Sequence, residues 1–222
     1  MDSRFSDISV LVWDFDGTLY RSQDELFTDV REAEYQVIIN HTGWPHQKAE
    51  EEFKKLHKVV TPSGTMVTSI LSKIPLLQAA LETEHFFDRN KYLRTDGKLI
   101  ALFQSLTRFR HLIISNGIED HIIKALESLG LSALRFEKII TPEITGIAKP
   151  DPRAFEMAIE YTRVAPEKHL MIGDRPAVDL VPARALGMKT CLVSWGQPFS
   201  ESEEASADVV IPRVYDLSAI IS

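Results

Sequence analysis

The chain has 222 residues, 44% of them hydrophobic and 26% charged, with a formal net charge of −7. That balance suits one globular domain or a core with a smaller insertion, contains no apolar run of the ~18–20 residues that span a bilayer, and offers no basic field for nucleic acid or an anionic membrane. The opening MDSRFSDISVLVW mixes acids with its arginine and does not read as a secretory signal, and the lone Cys191 suits a reducing compartment. The expectation is therefore a cytoplasmic monomer or homodimer without a nucleic-acid or membrane partner.

In chain order, the first β-branched run predicts a strand over 8–15 that ends in Asp14-Phe15-Asp16-Gly17-Thr18-Leu19. From residue 20 to 94 the patterning is helical with no convincing strand. Ser22 and Glu25 match a capping box, and Leu26, Val30, Ala33 and Val37 follow as an apolar stripe. Gly43-Trp44-Pro45, Thr61-Pro62-Ser63-Gly64 and Pro75 punctuate the later helices. Glu50/Lys54 and Glu51/Lys55 have the i,i+4 spacing of a solvated face. Arg94-Thr95-Asp96-Gly97 marks the return, which gives a helical insert over 20–94 in a core made of 1–19 and 95–222. Beyond it the sequence predicts a helix over 97–109, a strand over 111–115 and a helix over 118–129 closed by Gly130. A strand over 138–141, a helix over 152–162 and a strand over 169–172 come next. A helix over 179–186 and strands over 189–193 and 208–211 complete the pattern. Strands alternating with helices imply an α/β fold, a mostly parallel Rossmann-like sheet flanked by helices, carrying a small all-helical domain.

Ligands in such a sheet bind beyond the carboxyl ends of the strands. The residues that follow the strands here are Asp14, Asp16, Gly17 and Thr18; Ser115, Asn116 and Gly117; Lys149 in Lys149-Pro150-Asp151-Pro152; and Gly173, Asp174, Arg175 and Asp179. Aspartates crowded into one cleft repel one another unless a cation compensates. A hard divalent cation such as Mg²⁺ does so with oxygen ligands and substrate phosphate, and the lysine remains as a point charge for an anionic substrate. A carboxylate can act as a nucleophile, forming an aspartyl-phosphate, and a second one in a different environment can serve as acid and then base. Asp14 and Asp16 suit those two roles.

These residues resemble the haloacid dehalogenase (HAD) superfamily of phosphohydrolases. Asp14-Phe15-Asp16-Gly17-Thr18-Leu19 is similar to its first motif and Ser115-Asn116-Gly117 to its second. Lys149-Pro150-Asp151-Pro152 is similar to its third, and Gly173-Asp174-Arg175-Pro176-Ala177-Val178-Asp179 to its fourth. The order holds from about residue 10 to 217. The resemblance implies a helical cap over the site, with Asp14 as nucleophile and Asp16 as acid and base. Ser115 and Lys149 would be catalytic, and Asn116 and Gly117 would bind the substrate phosphate. Asp14, the backbone carbonyl of Asp16, and Asp174 would ligate Mg²⁺, with Asp179 behind them or holding the lysine. The implied activity is hydrolysis of a small phosphomonoester of the phosphoglycolate, sugar phosphate or nucleoside monophosphate type. Haloalkanoate dehalogenases of the family lack the acid two residues after the nucleophile; Asp16 therefore argues for phosphoryl chemistry.

Each motif also has a structural reading. Asp-x-Asp-Gly and Ser-Asn-Gly are ordinary turns, Asp151 and Pro152 suit an N-cap and first helical position, and Asp179 suits a first-turn acid. None of these explains the order of all four. The rival functions are a phosphomutase of the β-phosphoglucomutase type and a non-catalytic phosphate-binding or regulatory module. Arg175 either orients a site carboxylate or pairs at the surface, the second being preferred; Cys191 and Trp13 are read as core. His57, Lys58, Ser63, Thr65 and Arg89 are the polar residues of the insert able to read a leaving group.

Overall fold

The computed structural model describes residues 3–60 and 63–221; the punctuation expected at Thr61-Pro62 lies outside them. Strands β1 (Val10–Trp13), β2 (Arg110–Ile114), β3 (Lys138–Ile140), β4 (His169–Gly173), β5 (Lys189–Val193) and β6 (Val209–Ile211) form one sheet in the order β3-β2-β1-β4-β5-β6. All five pairings are parallel. The chain winds outward one way through β2 and β3, then returns to the other side of β1, so the switch in direction falls between β1 and β4. That is where an open α/β sheet leaves a crevice at its carboxyl edge. The expected first strand is trimmed at both ends. Past Trp13 only one further ladder bond forms, from the Asp14 N–H to the Ile172 carbonyl at 2.9 Å, and the chain then turns.

The period-two alternation of β1 explains the two layers. Leu11 and Trp13 face one cluster with Leu99, Phe103, Ile122 and Leu126, whereas Val10 and Val12 face another with Leu112, Phe155 and Ala158. The first layer comes from α5 (Gly97–Ser105) and α6 (Glu119–Leu129), the second chiefly from α8 (Arg153–Thr162) and α9 (Val181–Ala185); α7 (Pro142–Thr145) is a single turn between them. Trp13 and Cys191 are fully buried, as expected of core residues. Gly130 closes α6 in the left-handed region at φ 82°.

Between β1 and α5 lie α1 (Asp24–Thr42), α2 (His46–His57), α3 (Gly64–Ser72) and α4 (Leu76–Phe86). They share a separate core of Tyr35, Ile38, Ala49, Phe53 and Val67. Several local expectations shift. The capping box does not form: α1 starts at Asp24, with Gln23 as an N-cap that makes no side-chain capping bond, and Ser22 lines a cavity instead. Lys54 pairs with Glu50, but Lys55 reaches Glu52 at 3.9 Å rather than Glu51, because Glu51 accepts from Gln47 at 3.0 Å. The helix expected over 97–109 stops at Ser105, and α8 starts at Arg153 with Pro152 as N-cap. Asp151 still accepts the Arg153 N–H at 2.9 Å. The segment expected to open α9 is a π-helical turn, Pro176–Leu180.

Glu34 of α1 is 3% exposed and pairs with Arg31 at 2.7 Å. It occupies the space before the first turn of α3: a β-carbon on Gly64 would lie 2.6 Å from its carboxyl carbon. A helix N-terminus favours such a carboxylate, yet burial dominates and, against the pull of Arg31, pushes its pKa from 4.5 up to about 7. The folded protein then holds a proton the unfolded chain has released, so stability falls as pH rises through that window. Glu34→Gln removes this dependence. Relative to wild type, the variant should gain up to about 3 kcal/mol between about pH 5 and pH 8. Urea unfolding at both pH values measures it, and a difference that does not change with pH contradicts the assignment.

Candidate active site

The carboxyl ends of β1, β2 and β4 open into a cavity of about 510 Å³, roofed by α1, α3 and α4. Asp14, Asp16, Ser115, Asn116, Gly117, Asp174 and Arg175 line its floor. Lys149 and Asp179 lie beneath, 1% and 0% exposed. The eight residues that the resemblance gave site roles, Asp14, Asp16, Ser115, Asn116, Gly117, Lys149, Asp174 and Asp179, therefore converge, with Arg175 beside them. The convergence follows from topology: parallel neighbours bring their carboxyl ends to one edge, whatever the separation in sequence.

Lys149 is the centre of the floor. Its Nζ donates to Asp14 Oδ1 at 2.5 Å, Asp179 Oδ1 at 2.6 Å and the Ile114 carbonyl at 2.9 Å, which uses all three ammonium protons. The loop that carries it is clamped by Asn116, whose side-chain carbonyl accepts the Lys149 N–H at 2.8 Å while its amide donates to the Lys149 carbonyl at 3.1 Å. The Lys149–Pro150 peptide is cis. The side chain of Asn116 is thus committed to the lysine loop. Ser115 Oγ accepts the Gly117 N–H at 3.1 Å, which leaves its own proton to donate.

The other carboxylate oxygens differ in how well they are satisfied. Asp14 Oδ2 accepts from Thr18 at 2.8 Å, and Asp179 Oδ2 accepts the Arg175 N–H at 3.1 Å. Asp174 has only the distant Thr18 hydroxyl at 3.5 Å and Arg175 Nε at 3.9 Å. Burial raises the Asp14 pKa, but Lys149 and Arg175 outweigh it and hold the carboxyl below its usual range. For Asp174 burial and the Asp14 charge act together and push it well above; the same two causes raise Asp179. Burial would strip Lys149 of its proton, yet Asp14 and Asp179 raise its pKa instead. Three carboxylates facing Lys149 and Arg175 leave one negative charge over, and it falls on Asp174. Oxygens of Asp14, Asp174 and Asp179 lie within 4.8 Å of one another, so a divalent cation fits both the spacing and the surplus charge. Asp14 and Asp174 line the cavity, whereas Asp179 lies beneath it, so the first two are the better ligands.

Two glycines make the crowding possible. Gly17 has φ +87°, and a β-carbon there would lie 2.8 Å from the Asp174 carboxyl carbon. At Gly173 one would lie 2.6 Å from Asp179 Cβ. Arg175 is 38% exposed, with Nε 3.9 Å from Asp174 and 4.0 Å from Asp179, so it lies beside two site carboxylates, the first of the two roles the sequence left open.

Asp16 is held from the helical side. Tyr20 donates its hydroxyl to Asp16 Oδ1, and Arg89 Nε lies 3.4 Å from the same oxygen. Arg89 is 5% exposed and also pairs with Glu84 at 2.5 Å, which in turn meets His121 at 2.6 Å. Of the polar candidates in the insert, His57, Ser63, Thr65 and Arg89 line the cavity and Lys58 does not. Tyr20, Thr83 and Glu84 gave no motif signal; only the i,i+4 offset of Tyr20 from Asp16 could have pointed to one of them.

The model of the haloacid dehalogenase-like hydrolase family matches residues 8–187. The chain belongs to that family. Among curated relatives, a phosphoserine phosphatase of Thermus thermophilus is 38% identical over 109 residues, 49% of this chain and 41% of that protein. A glyceraldehyde 3-phosphate phosphatase of Methanothermobacter thermautotrophicus is 29% identical over 227 residues, 96% of this chain and 95% of that one. The crystal structure of a HAD phosphatase from Thermococcus onnurineus superposes with a TM-score of 0.70 at 21% identity, covering 97% of this chain and 98% of that one; this likeness concerns the fold. Family membership makes the protein a hydrolase, and among the described residues no helix is long and apolar enough to cross a membrane.

The buried triad yields a test of its own. Replacing Lys149 by methionine leaves Asp14 and Asp179 facing each other without a cation, and breaking a buried pair in this way costs about 3–5 kcal/mol. Denaturant unfolding of Lys149→Met at neutral pH should show that loss; a change of under about 1 kcal/mol would refute the triad as a stabilising unit.

Proposed function

We propose that the protein is a Mg²⁺-dependent cytoplasmic phosphatase that hydrolyses a small phosphorylated metabolite through an aspartyl-phosphate on Asp14. The observation that carries the reading is the fully buried Lys149 between Asp14 and Asp179, which keeps Asp14 ionised at the floor of a cavity large enough for a phosphomonoester. The phosphatase names of the relatives point the same way, as does Asp16, the acid that haloalkanoate dehalogenases lack.

The Asp14 carboxylate attacks phosphorus while the ester P–O bond breaks. Asp16, with Oδ1 fixed by Tyr20 and Arg89, presents Oδ2 and gives its proton to the departing oxygen. It then takes a proton from the water that attacks the aspartyl-phosphate, and phosphate and free Asp14 are released. The Ser115 hydroxyl, held by the Gly117 N–H, and the Asn116 N–H donate to phosphoryl oxygens, and Lys149 offsets the charge that passes through Asp14. Asp14, the backbone carbonyl of Asp16, and Asp174 would hold Mg²⁺, which when bound offsets the repulsion between carboxylate and phosphate. Asp179 orients the lysine. The helices over 20–94 act as a cap that shields the site from water, over a core made of 1–19 and 95–222.

Phosphate release from p-nitrophenyl phosphate and a panel of small esters tests this directly. Wild type with Mg²⁺ should turn over, EDTA should abolish the reaction, and Asp14→Asn should lower kcat by at least about a thousandfold. A folded wild type that hydrolyses no ester in Mg²⁺ refutes the proposal. Independently of turnover, Mg²⁺ at about a hundred times its Kd should stabilise wild type by about 3 kcal/mol and Asp174→Asn far less. Equal thermal shifts in the two proteins would remove Asp174 from the metal site.

A further inference from the structure

A residue outside the four motifs reaches the floor from the far side. Trp195, two residues past β5, donates its indole N–H to the Gly17 carbonyl at 2.6 Å. β1 and β5 are not neighbours, because β4 lies between them, and the bond therefore bridges the end of the strand that delivers Asp174. Gly17, Asp174 and Trp195 border one small cavity of about 30 Å³. Two inter-strand spacings come to about 10 Å, a span that calls for a long side chain. Trp195 also has φ +51°, a left-handed backbone that a bulky residue rarely adopts. Such outliers persist where the surroundings hold them, and they cluster at functional sites. The ring meets Tyr215 edge-on, with centroids 5.8 Å apart at 81°. Tyr215 in turn donates its hydroxyl to Asp96, the residue that caps α5. None of these residues belongs to the roof helices α1 to α4.

We infer that Trp195 is a positioning residue for the divalent cation: by holding the Gly17 carbonyl it keeps the turn over 14–18 against Asp174, at a separation that one cation can bridge. This assignment rests on the metal-dependent reading proposed above. Without a cation the turn and Asp174 have reason to part. Oxygens of Asp14 and Asp174 lie within 4.8 Å of each other, and like charges that close repel. Lys149 offsets this for Asp14, to which it donates directly, but it makes no such bond to Asp174. The Thr18 hydroxyl is 2.8 Å from Asp14 and 3.5 Å from Asp174, which makes it a weak tie between them. Gly17 itself has no side chain to contribute, since a β-carbon there would lie 2.8 Å from the Asp174 carboxyl carbon. A tie on this turn has to use its backbone, and the Gly17 carbonyl is the group that Trp195 takes. The carbonyl proposed to ligate the cation, that of Asp16, is one peptide earlier in the same turn. Because the indole is braced by Tyr215 and not by the roof, the metal side of the floor keeps its shape whatever the roof does.

The test is Mg²⁺ titrated calorimetrically into wild type and Trp195→Phe, a variant that keeps an aromatic ring and removes the donor. Binding should weaken by about tenfold in the variant, the worth of one hydrogen bond. A weakening of less than about threefold overturns the inference, whatever happens to the unfolding midpoint of the metal-free protein. Loss of packing alone lowers that midpoint and leaves the affinity for Mg²⁺ as it was. A second measurement needs no variant. In isotope-labelled wild type, the Trp195 indole N–H resonance, assigned through its contact with the Tyr215 ring, should move as Mg²⁺ saturates the site. The Trp44 resonance, from the separate core of the roof helices, should stay in place. A Trp195 resonance that does not move overturns the inference, and this result decides alone if Trp195→Phe fails to fold. A folded wild type that binds no Mg²⁺ defeats the metal-dependent reading and this role with it, whereas equal affinities in the two proteins defeat the role of Trp195 only.

Discussion

An ammonium group with no water around it has to be matched by carboxylates, and much of this structure follows from that requirement at Lys149. Its three protons go to Asp14, Asp179 and a β2 carbonyl, which ties together the ends of β1, β2 and β4. Desolvating such an ion costs several kcal/mol. The loop that delivers it is accordingly held on both sides of its peptide by Asn116. The turn that delivers Asp179 is π-helical rather than α-helical, and Gly173 leaves room for the Asp179 side chain. A residue that reads as a turn former in isolation is here part of a brace for one charge.

The same electrostatics separates the aspartates by role. Asp14 keeps its charge because two cations offset its burial, whereas Asp174 inherits the charge that the cations do not cover. A divalent cation held there would reverse the sign of that surplus and would make the floor attractive to an anion. Asp16 stands outside this balance, on the roof side, with Tyr20 and Arg89. In the proposed mechanism, that separation of surroundings lets two like residues, two positions apart, perform different chemistry. Because Arg89 follows α4, the pose of Asp16 depends on the roof being in place, and the proposed mechanism thereby ties proton transfer to coverage of the site.

Most of the fold was legible from periodicity. The β-branched runs, the apolar stripes of α6 and α8, and Gly130 as a cap depend on contacts within a few residues, and those expectations hold to within two or three positions. The misses have different causes. Ser22 gives up its capping box and lines the cavity beneath the helices, while within α2 Lys55 meets Glu52 one turn away and Gln47 engages Glu51.

What the sequence by itself determined is which chemical groups stand at the strand ends and in what order. A parallel sheet brings its carboxyl ends to one edge, so Asp14, Ser115, Lys149 and Asp174 must meet however far apart they lie along the chain. Only the tertiary structure decided how those groups pair: which aspartate shares the lysine, which is left with the surplus charge, and which indole reaches the Gly17 carbonyl. Pairing depends on distances of a few ångströms between elements that carry no local record of one another. For that reason Thr83 and Glu84 left no trace in the pattern, Tyr20 left only its offset of four from Asp16, and Arg89 looked like any other arginine on a solvated helix.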